Sequence, residues 1–356
     1  MADTAPQTGT RPAGSPVPLA VPAGPNRTLT RERVAVFVLL AALALVPPLM
    51  TWLGETFYIR LFTRILVFAI AAVGLDLVLG YGGMVSFGHA AFLGLGAYAV
   101  GIPFHHSQVG GTFLGLPGTL DALVTWPLGI AASALFALIV GAISLRTSGV
   151  YFIMITLAFA QMLYFLMVGL RQYGGDDGIS LWSPSELAGL DLGDRTVFYY
   201  LCYGLLVAVL FLAWRLVHSR FGRVLRGAKE NERRMRALGY PVYRYRLVAF
   251  TLSGAICGLA GALLANATLF VGPPYMTWTR SGDLIVMVVL GGIGTLAGPV
   301  VGAAGLLLLE EFVPEAMNMV RHGLGEHWRI VLGPVLVLIV LFARQGIWGW
   351  IRGTGR

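Results

Sequence analysis

The chain has a single lysine, Lys229, and the residue that follows it is Glu230. A phosphate loop of the G-x-x-x-x-G-K-[ST] type needs a lysine followed by Ser or Thr, so that an ammonium reaches the phosphates and a hydroxyl the magnesium. No such loop exists here, and the chain is not itself a P-loop ATPase. Cysteine is nearly as scarce. Cys202 and Cys257 both fall in long apolar runs, where a thiol is a small packing group, so neither a disulfide framework nor a thiolate metal site follows. Among the histidines, His105 and His106 are adjacent and His322 and His327 are five apart. Neither spacing puts two imidazoles on one helical face as H-E-x-x-H does, which argues against a zinc enzyme. Gly83, Ser86 and Gly88 lack the spacing of a G-x-S-x-G nucleophile turn. With no grouping of nucleophile, base and metal in view, the chain reads as a non-enzyme.

Charge is also in short supply, at 12% of residues against an apolar fraction of 57%. With a mean hydropathy of +0.77, there is too little polar surface to clothe a soluble globule of this length, so the chain is read as an integral membrane protein. The net charge of +8 comes without any nucleic-acid-binding motif, and its placement between apolar runs makes membrane topology its simpler cause.

Glycine is abundant, 47 of 356 residues, and clusters inside apolar runs, as at Gly254, Gly258 and Gly261. That spacing suits close helix packing, with some glycines available for broken helices beside a path. Residues 1–33 read as a flexible tail rich in Pro, Gly, Ala and Thr. Apolar runs follow at Val34–Leu53, Leu61–Gly80, Phe87–Phe104, Leu123–Leu145, Val150–Leu170, Val197–Val217, Leu247–Phe270 and Val331–Phe342. A longer run, Leu284–Leu309, is interrupted by Gly291, Gly292, Gly294, Gly298 and Pro299. Arg27, Arg31 and Arg33 place the N-terminus in the cytoplasm; Arg344, Arg352 and Arg356 do the same for the C-terminal tail, 346–356. An even number of crossings is therefore expected, which splits the interrupted run in two and gives about ten. The expected fold is an all-α polytopic transmembrane bundle over 34–345 with broken helices.

Ten of the twenty-five basic residues crowd between Arg215 and Arg246. Holding even one of them at a bilayer centre costs roughly 3 kcal/mol, so the segment 218–246 is expected outside the membrane on the cytoplasmic side. Glu230 stands three and four residues before Arg233 and Arg234, and Glu232 four before Arg236; these are helix-stabilising spacings, and Gly239 and Pro241 supply a stop. One or two short helices are expected, seated on a partner or lying on anionic lipid. The opposite side carries acid. Asp176, Asp177, Glu186, Asp191 and Asp194 lie in a loop at 171–196, and Glu311, Glu315 and Glu326 are assigned to a second outer loop.

Several stretches resemble the membrane subunits of bacterial ABC importers for branched-chain amino acids, the Liv-type permeases. They are Gly80–Tyr98 (GYGGMVSFGHAAFLGLGAY), Arg146–Phe159 (RTSGVYFIMITLAF), Ser219–Glu232 (SRFGRVLRGAKENE) with its continuation through Gly239 to Phe250, and Gly291–Pro299 (GGIGTLAGP). The similarity covers roughly residues 34–350. A departure from many relatives is Tyr173 ahead of Gly174-Gly-Asp-Asp-Gly178, and urea and short-chain amide permeases share most of these signatures. The resemblance implies a subunit in the bacterial inner membrane without cofactor or catalytic residues. Two ATP-binding subunits would bind and hydrolyse ATP, a second permease subunit would complete the path, and a periplasmic binding protein would deliver the solute. Glu230, Glu232, Arg236, Ala237, Leu238 and Gly239 are then the candidates for ATPase coupling, and Asp176 and Asp177 for external docking. Candidates for the solute path are Gly82, Gly83, Ser86, His89, Thr156, Gln161, Asn266, Asp283, Gly292 and Gly294, each of which packing between helices would also explain. Asp76, an ionisable group in the second run, reads either as a path residue or as one of a structural pair. For Asp283 the plainer reading is an acid at a helix start. A self-contained ion-coupled carrier is the alternative of a different class.

Overall fold

The computed structural model describes residues 27–320 apart from 111, 114, 115 and 188, together with 330, 333, 334, 337 and 346–352. The expected tail before residue 27, most of the last apolar run at 331–342, and His322, His327, Glu326, Arg344 and Arg356 lie outside the described residues.

Helices dominate. The first half of the chain holds α1 (Arg27–Leu53), α2 (Thr56–Asp76) continuing into a π-turn at Leu77–Tyr81, α3 (His89–Val109), α4 (Ala122–Ser144) and α5 (Val150–Gly169). The second half holds α6 (Arg195–His218), the short α7 (Arg220–Glu230) and α8 (Glu232–Ala237), then α9 (Val242–Thr268), α10 (Trp278–Gly291), α11 (Gly298–Val320) and α12 (Gly346–Arg352). Two antiparallel two-residue pairs complete it: β1 (Thr112–Phe113) with β2 (Leu116–Pro117), and β3 (Ile179–Ser180) with β4 (Phe270–Val271).

Among the described residues, six helices are long and apolar enough to cross a membrane: those at 34–53, 57–81, 122–144, 150–169, 195–218 and 242–268. Further crossings rest on interrupted segments. The run 284–309 does divide at 292–297 into α10 and α11, as parity requires, but α10 has only 14 residues, about 21 Å against the roughly 30 Å of a bilayer core. The span expected to start at Phe87 becomes helical only at His89, after an irregular stretch at 82–88. Glu311 and Glu315 are within α11 and not in an outer loop, since the apolar periodicity of that helix runs on past the glycines.

The core is built around α9, whose small residues allow backbones to meet. A Cβ on Gly261 would strike the carbonyl of Leu93, one on Gly96 that of Gly258, and one on Gly258 would lie 2.5 Å from Ser133 Oγ. Ser133 in turn donates to Phe92 O at 2.9 Å, so α3, α4 and α9 are locked together. The packing has an internal reciprocity. α9 packs on α3 and α4 while α2 packs on α10 and α11; α2 and α9 touch each other, and so do α3 and α10. Chain direction is inverted between the sets: α2 runs antiparallel to α9, with Ala71 against Cys257 and Gly74 against Ser253. α3 and α10 likewise run oppositely, with Gly94 beside Met276 and Phe87 beside Ser281. The arrangement is an inverted repeat of three elements.

α1 is peripheral and carries Pro47 and Pro48 inside its helix. Proline has no N–H, so the carbonyls four residues earlier, at Leu43 and Ala44, lose their helical donors. Tyr199 and Tyr200 of α6 donate their hydroxyls to those two carbonyls, at 2.6 and 3.3 Å, and Tyr203 donates to Leu40 O at 3.1 Å. The kink chemistry of one helix thus dictates its partner. Tyr199→Phe is expected to destabilise the protein by about 1–3 kcal/mol, the penalty for an unpaired buried carbonyl. In a Pro47→Ala background the loss should shrink, because the N–H restored at position 47 serves Leu43 O. A double-mutant cycle on thermal unfolding in detergent measures this, and additive effects would refute it.

Candidate functional site

The two interrupted segments meet in the interior. The stretch 82–88 leads into α3, which begins at the buried His89, and the stretch 269–277 leads into α10, which begins at the exposed Trp278 and turns inward at the buried Ser281. Ser281 Oγ donates to Phe87 O at 2.7 Å and accepts from Ala90 N at 3.1 Å, placing a hydroxyl of α10 on the first turn of α3. Thr156 of α5 accepts from Phe87 N at 3.3 Å and donates to Ile153 O at 2.9 Å. Ser86 Oγ accepts from Gly88 N at 3.2 Å.

His89 sits beside them, wedged edge-on between Phe92 and Phe250, with Nε2 at 2.9 Å from Ser253 Oγ. The Ser253 hydroxyl donates to Gly74 O at 2.5 Å, so in the other bond it must accept, which assigns the proton to His89 Nε2. One imidazole thereby ties α3 to α9 and, through Ser253, to α2. Ser86, His89, Thr156, Ser253 and Ser281 are all fully buried. The junction is a set of hydroxyls, one imidazole and backbone amides engaged with one another, groups of the kind that can also bond carboxylate, ammonium or amide groups.

The other path candidates are elsewhere. Asn266 is buried at the acidic end, where its Oδ1 accepts from Ser185 N at 2.7 Å and its Nδ2 donates to Ala262 O at 2.9 Å, pinning the outer loop. Gln161 is half-buried on α5, beside but outside that helix's buried stripe at Phe152, Thr156, Ala160 and Leu163. Asp283 is in the second turn of α10, 3.3 Å from Arg280; the helix begins earlier than its apolar run, at Trp278, so the acid is not at the helix start. Gly292 and Gly294, with φ of 125° and 72°, shape the turn between α10 and α11 at the basic end. There Gly294 N donates to Asp76 Oδ1 at 2.9 Å, which makes Asp76 the anchor of that turn. Gly82 and Gly83 lie at the same end, just past the π-turn of α2. Eight of the ten candidates thus fall on three levels: Ser86, His89 and Thr156 come together in the interior, the four glycines gather at one end and Asn266 marks the other, while Gln161 and Asp283 join none of these groups.

Sequence reasoning passed over Ser253 and Ser281, single hydroxyls in apolar runs with no signal beyond their rarity there. It also passed over Arg64 and Glu310, which face each other at 3.6 Å between α2 and α11.

At the basic end, α7 buries Gly222, Val224, Leu225 and Ala228, and Arg226 donates to Val217 O at 2.9 Å. α8 buries nothing. Of the one or two short helices expected, two form, divided at Asn231, whose extended backbone (φ −153°, ψ 95°) and capping side chain, 2.9 Å from Arg234 N, start a new helix. Glu230 is therefore the last residue of α7, and its expected pairing with Arg233 and Arg234 is not formed. Glu232 does pair with Arg236, and also reaches Arg246 of α9 at 2.7 Å. Gly239 ends the unit with φ of 85°, where a side chain would be strained. Leu238 beside it is 65% exposed, so α8 and its end project as a charged knob with an apolar tip.

At the acidic end Asp176 and Asp177 are exposed on the turn 174–178, and Trp182 is 85% exposed nearby in sequence. A cavity of about 650 Å³ opens there between Asp121 and the loop 183–192. Among the described residues no group of three or more His, Cys, Asp or Glu side chains is placed to hold a metal ion.

A family described as branched-chain amino acid transport system / permease component matches residues 57–340. The high-affinity branched-chain amino acid transport system permease protein LivM of Salmonella typhimurium is 29% identical over 310 residues, covering 80% of this chain and 68% of that protein. Its counterpart in Escherichia coli K12 is 29% identical over 335 residues, with 87% and 73% covered. A probable branched-chain amino acid transport permease protein LivM of Methanocaldococcus jannaschii is 26% identical over 316 residues, with 79% and 90% covered. No solved structure matches. The matched stretch runs from the first turn of α2 past the end of α11, and with every joint described above inside it, the chain belongs to the permease component family of branched-chain amino acid transport systems.

Proposed function

We propose that the chain is a membrane-spanning permease subunit of an ATP-driven importer for branched-chain amino acids, multi-pass in a bacterial inner membrane. The family match over 57–340 carries this reading. The junction where the first turn of α3 meets α10 supports it, since rearrangement of its neutral hydroxyls, imidazole and backbone amides would offer hydrogen bonds to a zwitterion. About ten crossings, with the basic end and both chain termini in the cytoplasm, follow from the charge asymmetry of the two ends.

In this reading ATP is bound and hydrolysed by two partner subunits, one of which seats on α7 and α8 of this chain around Glu230, Glu232, Arg236, Ala237, Leu238 and Gly239. A second permease subunit, identical or paralogous, flanks the path, and a periplasmic binding protein meets the acidic end near Asp176 and Asp177. Ser86, His89 and Thr156 are the path residues that the interior junction favours. Urea and short-chain amides share the hydrogen-bonding character of that junction. The importer reconstituted in proteoliposomes with its ATP-binding subunits and binding protein is expected to accumulate leucine, isoleucine or valine on ATP addition, and uptake of urea or acetamide in their place would overturn the amino-acid assignment.

Glu232→Arg and Gly239→Val are each expected to reduce uptake by about tenfold or more while the protein still inserts, a factor in keeping with the loss of charge-assisted hydrogen bonds or of a left-handed helix stop. Uptake assays paired with copurification of the ATP-binding subunits test this, and normal results in both variants would favour a helix pair lying on lipid. Replacing Asp176 and Asp177 together by Asn should weaken stimulation by the binding protein and leave basal ATP turnover in place. An unchanged dependence of transport on binding-protein concentration would remove these residues from the docking surface.

A further inference from the structure

Lys229 is the only lysine of the chain; it is an exposed residue of α7, next to the buried Ala228, and its side chain reaches back to the bundle. Its Nζ donates to Gly80 O at 2.7 Å, a carbonyl in the buried π-turn that ends α2. Its stem lies across Gly83, where an added Cβ would be 2.8 Å from Lys229 Cγ and where φ is 68°. Behind Gly80 stands the carboxylate of Asp76, and a Cβ on Gly80 would collide with that oxygen and with Gly294 N. Asp76 Oδ1 in turn accepts from Gly294 N. One ammonium therefore joins α7 to both irregular joints of the bundle, the stretch 82–88 that leads into α3 and the turn 292–297 between α10 and α11.

We propose that Lys229 is the latch through which movement of α7 reaches the two broken helices, holding the basic-end joints together when engaged and freeing them when withdrawn. The proposal rests on the reading of α7 and α8 as the seat of the ATP-binding subunits. An ammonium on a four-carbon stem can leave its carbonyl acceptor without disturbing the helix that bears it. The carbonyl it leaves sits at a helix end, where a cation is favoured by the helix dipole and its loss is felt. Glu232, bonded to both Arg236 and Arg246, keeps α8 fixed to the start of α9, so a push on α8 is transmitted and not absorbed.

Because the chain has no second lysine, a water-soluble acylating reagent reads this one side-chain amine in the assembled importer. Acylation of Lys229, followed by peptide mass spectrometry, is expected to be about tenfold faster with a non-hydrolysable ATP analogue than without nucleotide, the factor that breaking a charge-assisted hydrogen bond supplies. Equal rates in the two states would overturn the latch. Lys229→Met keeps the stem and is expected to retain the ATP-binding subunits and their turnover while uptake per ATP falls about tenfold, with Lys229→Arg recovering part of it. An unchanged uptake per ATP in Lys229→Met would equally overturn the latch. Failure of the unaltered chain to copurify with ATP-binding subunits would instead sink the docking reading. If Lys229→Met fails to assemble, the acylation rates of the unaltered complex decide alone.

Discussion

A backbone N–H or C=O left unpaired in hydrocarbon costs several kcal/mol, and this chain interrupts its helices at several points within an apolar body. Each interruption is matched by a side chain from another element. Pro47 and Pro48 free two carbonyls of α1, and tyrosines of α6 take them. The first turn of α3 is served by Ser281 of α10 and Thr156 of α5, the turn at Gly294 by Asp76, the outer loop by Asn266 and the end of α2 by Lys229. The polar residues scattered through the apolar runs are thus largely accounted for by the breaks they repair. The breaks in turn place polar groups in the interior, where a solute needs them.

Close packing is the other half of the same constraint. Lipid gives helices no hydrophobic reason to associate, so α9 holds α3 and α4 by near contact of backbones at Gly254, Gly258 and Gly261. Outside that close-packed centre, the stretch 82–88 is held by Thr156 and Ser281 through Phe87, and the turn 292–297 by Asp76 through Gly294 N. A transporter of the alternating type needs such a division between a fixed scaffold and a few displaceable contacts. At the basic end α7 is half embedded and α8 stands clear, so α7 is the element that joins the exposed knob to those joints.

Much was legible in the sequence. Scarce charge and long apolar runs determined a helical membrane protein, because continuous apolar runs of about 20 residues suit helices that pair their own backbone, whereas barrel strands are shorter and alternate. The lone lysine followed by Glu230 excluded a phosphate loop of the G-x-x-x-x-G-K-[ST] type in this sequence, and the glycines of Gly291–Pro299 marked a real division between α10 and α11. Gly239 as a helix stop and the Glu232–Arg236 pair followed from local spacing alone.

Tertiary structure decided what local pattern could not carry. The pairing expected of Glu230 with Arg233 and Arg234 is lost because the Asn231 side chain caps a new helix, and Asp283 pairs with Arg280 inside α10 because that helix starts before its apolar run. The path candidates were spread apart by the packing of α2, α3 and α4 against α9, α10 and α11, a relation between segments far apart in the chain. Ser281, Ser253 and Lys229 acquired roles only when helices distant in sequence brought a carbonyl within their reach. Hydropathy and spacing report what a residue needs from its own helix; which partner meets that need is set by the three-dimensional crossing of helices, and so appears only in the folded chain.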